Sequence, residues 1–307
     1  MEKRFIGTAL VRVVLLIFWS CCALGLNAQF ILNQEGQAFG TTPFFNDSLI
    51  AAQHIRTIDG FYTYKKGTEA FKPSPDTFRY TFNQKGQLIA SMEILQKGAS
   101  KDSIFHHYAY NENGQLCLHR YAAYGGAIAE HYTYDTLGRL TDVALYRDVY
   151  DHRKDSLISS VKMRTETLRY HQDKPQDYTR YNNYQRPYIE VTKSYDNEQY
   201  LRSILSYYRI SQNSERIDFK YDQNGLLSHK ATSSDSLATP KDEWRYRYDQ
   251  WGNLIEMHRY ENGTFLTDYQ IVYDYKTGFL GSLIKKDVRT DQLSILRFTN
   301  YTYFPKH

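Results

Sequence analysis

The nine-residue pattern Tyr-x-Tyr-Asp-x-x-Gly-x-Leu, kept in full at 132–140 and 246–254, constrains this chain more than any other feature. Tyrosines at i and i+2 lie on one face of an extended strand. Asp then opens a tight turn, where its carboxylate caps backbone N–H groups, and Gly supplies the left-handed residue that ends the turn without a Cβ penalty. Leu starts a second strand, so each copy is a hairpin. Ten residues after Gly252 comes Asn262-Gly263, the preferred pair for a two-residue type I′ turn. The strand that starts at Leu254 must therefore reverse again.

Further copies run through the chain with Asn for Asp or Phe for Tyr. They begin at Tyr80, Tyr108 and Phe219 and carry their turn glycines at Gly86, Gly114 and Gly225, and a faint copy runs from Phe30 to Gly36. Two variants read as one residue shorter, Tyr62 and Tyr64 with Gly67, and Tyr273 and Tyr275 with Gly278. Between Gly138 and Gly225 the pattern degenerates, with Tyr181-Asn182 leading to Gln185 and Tyr195-Asp196 leading to Gln199. Gln tolerates positive φ poorly, so these turns are expected to be wider or of another type. The glycine spacing makes one repeat two strands and two turns. At about 13 residues per strand and turn, the chain beyond residue 28 makes roughly 20 antiparallel strands, and open sheets rarely exceed about 10 without curling.

The expected fold is therefore all-β. Residues 29–307 form a single domain, an antiparallel up-and-down meander of repeated hairpins that curls into a spiral, half-shell or barrel-like sheet. The tyrosine and leucine positions line one face, and the pattern is compatible with a closed or an open sheet. Only 47–55 offers a short capped helix.

Residues 1–28 read as an export signal. Lys3, Arg4 and Arg12 supply positive charge, 13–26 is an apolar run, and Leu26-Asn27-Ala28 provides small residues before Gln29. A membrane span needs about 20 apolar residues, more than this run contains. A lipid anchor on Cys21 is disfavoured by the bulky Trp19. The expected setting is exported, in the periplasm, at the cell surface or outside a bacterium. Beyond residue 28 there are 35 basic and 33 acidic side chains, a net charge of +2. That balance provides no electrostatic footprint for nucleic acid. Cys117 is the one cysteine beyond the signal, so no internal disulfide forms and stability rests on burial.

No nucleophile elbow, phosphate loop, Cys-x-x-Cys or His-Glu-x-x-His occurs. Nothing in the sequence implies a cofactor or a metal, and a noncatalytic protein is expected over a hydrolase with an unrecognised site. The recurrent Asp135, Asp222 and Asp249 are explained by their turn position. His107 and His131 share one repeat position that Arg79 and Arg245 hold in other copies, as a solvated strand face would allow and a metal site would not. The residue before the turn glycine is Lys85, Asn113, Leu137, Asn224 and Trp251 in the five full copies. These positions should lie at hairpin tips, so Leu137 and Trp251 are the candidate ligand contacts, with packing on the sheet rim as the competing reading.

The pattern, best kept at 132–140 and 246–254 and spread over about residues 30–280, resembles the YD repeat of the Rhs family. That resemblance implies a curled β-sheet shell and a surface or export setting, not an activity. The chain is short and has no Asp-Pro dipeptide, and no non-repeat C-terminal domain is expected after Tyr303, so no enclosed toxin cargo is expected. The expected function is an exported repeat protein that presents a curved sheet for binding at the cell envelope, with a glycan or a protein as partner and peripheral membrane contact left open. The alternative is a carrier of an apolar ligand inside the curl. A tyrosine lining with polar neighbours favours the first, and an apolar lining around a void favours the second.

Overall fold

The computed structural model describes residues 45–305 apart from 98–99, 124–125, 152–155 and 236–238. The expected export signal and the faint repeat copy at 30–36 lie outside the described residues. One short helix, α1 (Asp47–Ala52), precedes the strands. These are β1 (Ile55–Lys66), β2 (Lys72–Phe82), β3 (Leu88–Lys97), β4 (Ser100–Tyr110), β5 (Leu116–Ala123) and β6 (Gly126–Tyr134). Then come β7 (Leu140–Asp151), β8 (Ser156–Tyr170), β9 (Tyr178–Tyr181), β10 (Pro187–Tyr195), β11 (Leu201–Tyr208) and β12 (Asn213–Tyr221). The last six are β13 (Leu227–Ser234), β14 (Asp242–Tyr248), β15 (Leu254–Glu261), β16 (Thr264–Tyr273), β17 (Leu280–Asp287) and β18 (Gln292–Tyr303).

Every strand pairs antiparallel with its sequence neighbours, and β1 pairs with both β2 and β18. The β1–β18 seam runs from Ile55 opposite Tyr303 to Lys66 opposite Gln292. The meander is therefore a closed 18-stranded barrel. The described residues hold 18 strands against the roughly 20 expected for 29–307, and several of them are long, with 12 residues in β1, β7 and β18 and 15 in β8.

The repeat turns that open with Asn83, Asn111, Asp135, Asp196, Asp222 and Asp249 each join an even-numbered strand to the next odd-numbered one and stand at one end of the barrel, whereas the Asn182 turn joins the short β9 to β10 and faces the other way. In the turn after β14, Asp249 Oδ1 accepts from the backbone N–H of Trp251 (2.9 Å) and of Asn253 (2.8 Å), while the Gly252 N–H donates to the Asp249 carbonyl at 3.1 Å. The degenerate turns are not wider. Gln185 and Gln199 adopt φ of 57° and 67°, and Asn182 and Asp196 cap them with the same pair of bonds. The cap and the turn bonds offset the cost of a left-handed side-chain residue, about 1–2 kcal/mol.

The two variants that read as shortened copies are something else. Gly67 lies at the opposite end of the barrel, where its N–H donates to the Asp291 carbonyl at 3.2 Å. The turn after Tyr273 is one residue longer than the repeat, closing from Asp274 N–H to the Phe279 carbonyl at 2.7 Å. Asn262 and Gly263, with φ of 49° and 78°, form the expected type I′ pair.

Helix α1 is capped by Asn46, whose side chain accepts from the Leu49 N–H at 3.0 Å. It ends at Ala52, short of the expected Ile55, because Ile55 opens β1. Its buried Ile50 joins Phe45 in the main core with Phe78, Tyr80 and Phe82 of β2, and with Trp244, Tyr246, Met257 and Tyr269 from the far wall. The fully buried members of this cluster come from the α1 segment, β1, β2 and the stretch from β11 to β18. Among the described residues, none comes from β3 to β10. The main core thus fills one side of the barrel, while the other side carries buried Leu168, Ile189 and Val191 outside that cluster and is lined in part by a cavity.

Candidate ligand cavity

This other side holds a cavity of about 570 Å³ on the inner wall of β5 to β10, at the end that carries the Asp turns. Tyr132, Tyr134, Tyr170, Tyr178 and Tyr195 supply aromatic surface there, and Leu116, Leu140 and Leu168 supply aliphatic surface. Their common facing follows from strand alternation. Tyr132 and Tyr134 end β6, Leu168 and Tyr170 end β8, and Tyr178 opens β9 opposite Tyr170.

Most of the polar demand of these rings is met by the wall itself. The Tyr134 hydroxyl donates to the Leu116 carbonyl at 2.8 Å and the Tyr170 hydroxyl to the Leu140 carbonyl at 3.1 Å. The Tyr132 hydroxyl donates to Glu130 at 2.6 Å, and burial, helped by that carboxylate, pushes its pKa up. These rings therefore present faces rather than hydroxyls to the cavity. Cationic groups come from the two sides. Arg139 pairs with Asp135 at 2.8 Å and lies 4.3 Å from the Tyr170 ring centre, and Lys193 Nζ lies 5.8 Å from the Tyr178 ring centre.

Above the cavity, on the same inner face, His106 and His119 stack with ring centres 5.3 Å apart and share a 3.0 Å contact between ring nitrogens. Tyr108 stacks on His119 at 4.8 Å, and His119 stands 3.7 Å from Glu130. Burial lowers the pKa of both imidazoles. For His106 the neighbouring His119 adds to that fall, whereas for His119 the Glu130 carboxylate works against it.

Leu137 and Trp251, the residues singled out as tip contacts, are 75% and 69% exposed. They occupy the tips of the β6–β7 and β14–β15 turns, so the structure does not bring them together. Leu137 adjoins Gly138 and Arg139 of the cavity lining, and Trp251 lies on the filled side of the ring. His107 and His131 are exposed strand positions, like Arg79 and Arg245, and Cys117 is a half-buried residue of β5. Arg139 and Lys193 were not legible as site residues. Arg139 sits between the turn glycine and the repeat leucine, a position with no fixed chemistry, and the place of Lys193 depends on how β9 and β10 pack.

No family model and no curated protein matches the chain. Among solved structures it is similar to a porin-like protein from Bacteroides uniformis, at 14% identity over 81% of this chain and 98% of that one, with a TM-score of 0.36. It is also similar to a chain of the TcdB2-TccC3-Cdc42 structure, at 11% identity over 75% of this chain and a TM-score of 0.30. It spans only 15% of that longer chain. A LolA superfamily protein from Nitrosomonas europaea matches at 10% identity over 84% of this chain and 92% of that one, with a TM-score of 0.24. These scores are low, and the fold assignment rests on this chain's own strand register.

Proposed function

We propose that this chain is a noncatalytic exported carrier that holds an amphipathic ligand in the cavity of its barrel. The ligand's apolar or ring-bearing body lies against Leu116, Leu140, Leu168 and the tyrosine faces, and its anionic group lies toward Arg139 and Lys193. The observation that carries this reading is the uneven filling of the barrel, with a packed core on one side and a cavity of about 570 Å³ on the other. A concave, largely apolar lining with a few convergent polar groups is the usual form of a small-molecule site. Because the hydroxyls of Tyr134 and Tyr170 are held by backbone carbonyls, the lining favours stacking and apolar contact over hydrogen bonding to a sugar. The export-signal pattern of residues 1–28 supports an exported setting.

Residues 29–307 titrated with a fluorescent long-chain fatty acid test it. Saturable one-to-one binding is expected, weakened at least about tenfold by Leu168→Arg, which puts a charge against the ligand body. Lys193→Ala should weaken the fatty acid and spare the corresponding alcohol. Absence of saturable binding sinks the carrier reading.

A second reading, a curved sheet that binds a glycan or a protein at the cell envelope, is favoured by the exposure of Trp251 and Leu137 at hairpin tips. On that reading Trp251→Ala changes stability by less than about 0.5 kcal/mol and still abolishes retention on cell-envelope fractions. Unchanged retention removes Trp251 from the contact surface.

A further inference from the structure

On the face of the wall turned away from the aromatic core, three side chains with metal-ligating atoms converge. Glu256 and His258 are two residues apart on β15 and share a face, and Asp268 on β16 stands opposite His258 in the antiparallel register. Their ligating atoms all lie within 4.8 Å of one another. His258 Nε2 is 2.5 Å from Glu256 Oε1 and 3.4 Å from Asp268 Oδ1.

One imidazole nitrogen carries either a single proton or a single lone pair. As an N–H group, His258 Nε2 donates to Glu256. That leaves Asp268 Oδ1, which is closed off from solvent, without a hydrogen-bond donor. As a lone pair, it faces two carboxylate oxygens of like polarity. Buried polar atoms of this kind call for a partner, and a cation placed among the three satisfies both oxygens and the nitrogen at once.

The surroundings hold the trio in position. Arg247 pairs with the other Glu256 oxygen, Oε2, which keeps Oε1 turned toward His258. The Phe265 ring meets the imidazole edge-on, with centres 5.1 Å apart. Gln270 reaches the second Asp268 oxygen at 3.4 Å. Lys286, opposite Asp268 in the β16–β17 register, pairs with Asp291 at 2.8 Å.

We propose that Glu256, His258 and Asp268 bind a divalent transition-metal cation of the Zn²⁺ type on the outer wall between β15 and β16. Two carboxylates and one imidazole are Zn²⁺ ligands, and three protein ligands leave a position for water or an external group. The imidazole selects against Ca²⁺ and Mg²⁺, which prefer all-oxygen sites. Bonds of about 2.0–2.2 Å in tetrahedral geometry set ligand atoms about 3.3–3.6 Å apart. Asp268 and His258 already have that separation, and Glu256 has to draw back from His258 by about 1 Å.

Calorimetric titration of metal-stripped residues 29–307 with ZnCl₂ tests the site. One site is expected, with Ca²⁺ giving no binding. His258→Ala and Asp268→Asn should each weaken Zn²⁺ at least about tenfold, since even residues that only support metal ligands are worth that much, and His131→Ala on the exposed strand face should leave it unchanged. No saturable Zn²⁺ binding overturns the proposal, as does Zn²⁺ binding that both site variants retain. Should the variants fail to fold, Co²⁺ absorption of the unaltered chain decides. Intense visible bands of a four- or five-coordinate site support the proposal, and the weak spectrum of the hydrated ion overturns it.

Discussion

The Tyr248 hydroxyl donates to the Leu227 carbonyl oxygen at 2.9 Å, tying the end of one strand to the start of the strand before it. Six further pairs repeat the bond at 2.7–3.1 Å: Tyr110 with Leu88, Tyr134 with Leu116, Tyr170 with Leu140, Tyr221 with Leu201, Tyr273 with Leu254 and Tyr301 with Leu280. The second tyrosine and the leucine of the repeat are thus one device. The hydroxyl of one copy satisfies the backbone of its neighbour and sets the lateral spacing of adjacent Asp turns. The ring meanwhile packs on the inner face.

Tyr248→Phe isolates that bond, because the ring stays and only the hydroxyl goes. A loss of about 0.5–1.5 kcal/mol is expected by urea denaturation, the net worth of one hydrogen bond. No loss would mean that water replaces the hydroxyl at the Leu227 carbonyl.

The pattern made the repeat, its turns, the inward tyrosine face and the all-β class legible, because each depends on residues within nine positions. Closure was not legible. Whether β1 meets β18 depends on accumulated twist and on the lengths of strands such as β8, which no single copy encodes. The turns at Gln185 and Gln199 were misjudged for a related reason, since backbone preference was weighed without the Asn182 and Asp196 caps. The convergence of His258 with Asp268 could have been found by counting outward from the Asn262-Gly263 turn and allowing for one bulge between Arg259 and Tyr260.

Gly86 and Gly114 hold the same turn position with φ of 82° and 80°, but their surroundings differ. A Cβ on Gly86 would stand 1.9 Å from the Asp47 carbonyl oxygen of α1, whereas one on Gly114 meets nothing closer than Gln87 Nε2 at 3.4 Å. Gly114→Ala should cost about 1–2 kcal/mol, the backbone penalty alone. Gly86→Ala should cost distinctly more, because the helix must shift away from the turn. Equal losses in urea would show that α1 is not seated on that turn.

Asp148 is 3% exposed. It accepts from Arg120 Nε at 2.8 Å and from the Ser160 hydroxyl at 2.6 Å. Arg120→Met leaves that carboxylate buried without its cation, which typically costs about 3–5 kcal/mol. Adding Asp148→Leu to the same chain should recover most of the loss, since burying neither charge avoids both desolvation terms. A double variant as unstable as the single one would mean that Arg120 acts through packing rather than charge.

The stacked His106 and His119 make stability depend on pH in a definite direction. Burial holds both folded-state pKa values below the ordinary histidine value of 6.5, so as pH falls the unfolded chain takes up protons first. Their contribution is therefore complete above about pH 6.5 and is lost as pH drops from there toward the depressed folded values. Comparison of the unaltered chain with His106→Gln/His119→Gln cancels titrations common to both. The urea midpoint should fall more steeply between pH 7 and pH 5 in the unaltered chain, because only there does acidification force charge onto rings packed between Tyr108 and Tyr121. Parallel pH profiles would show that the pair takes up protons as readily inside the barrel as in the unfolded chain.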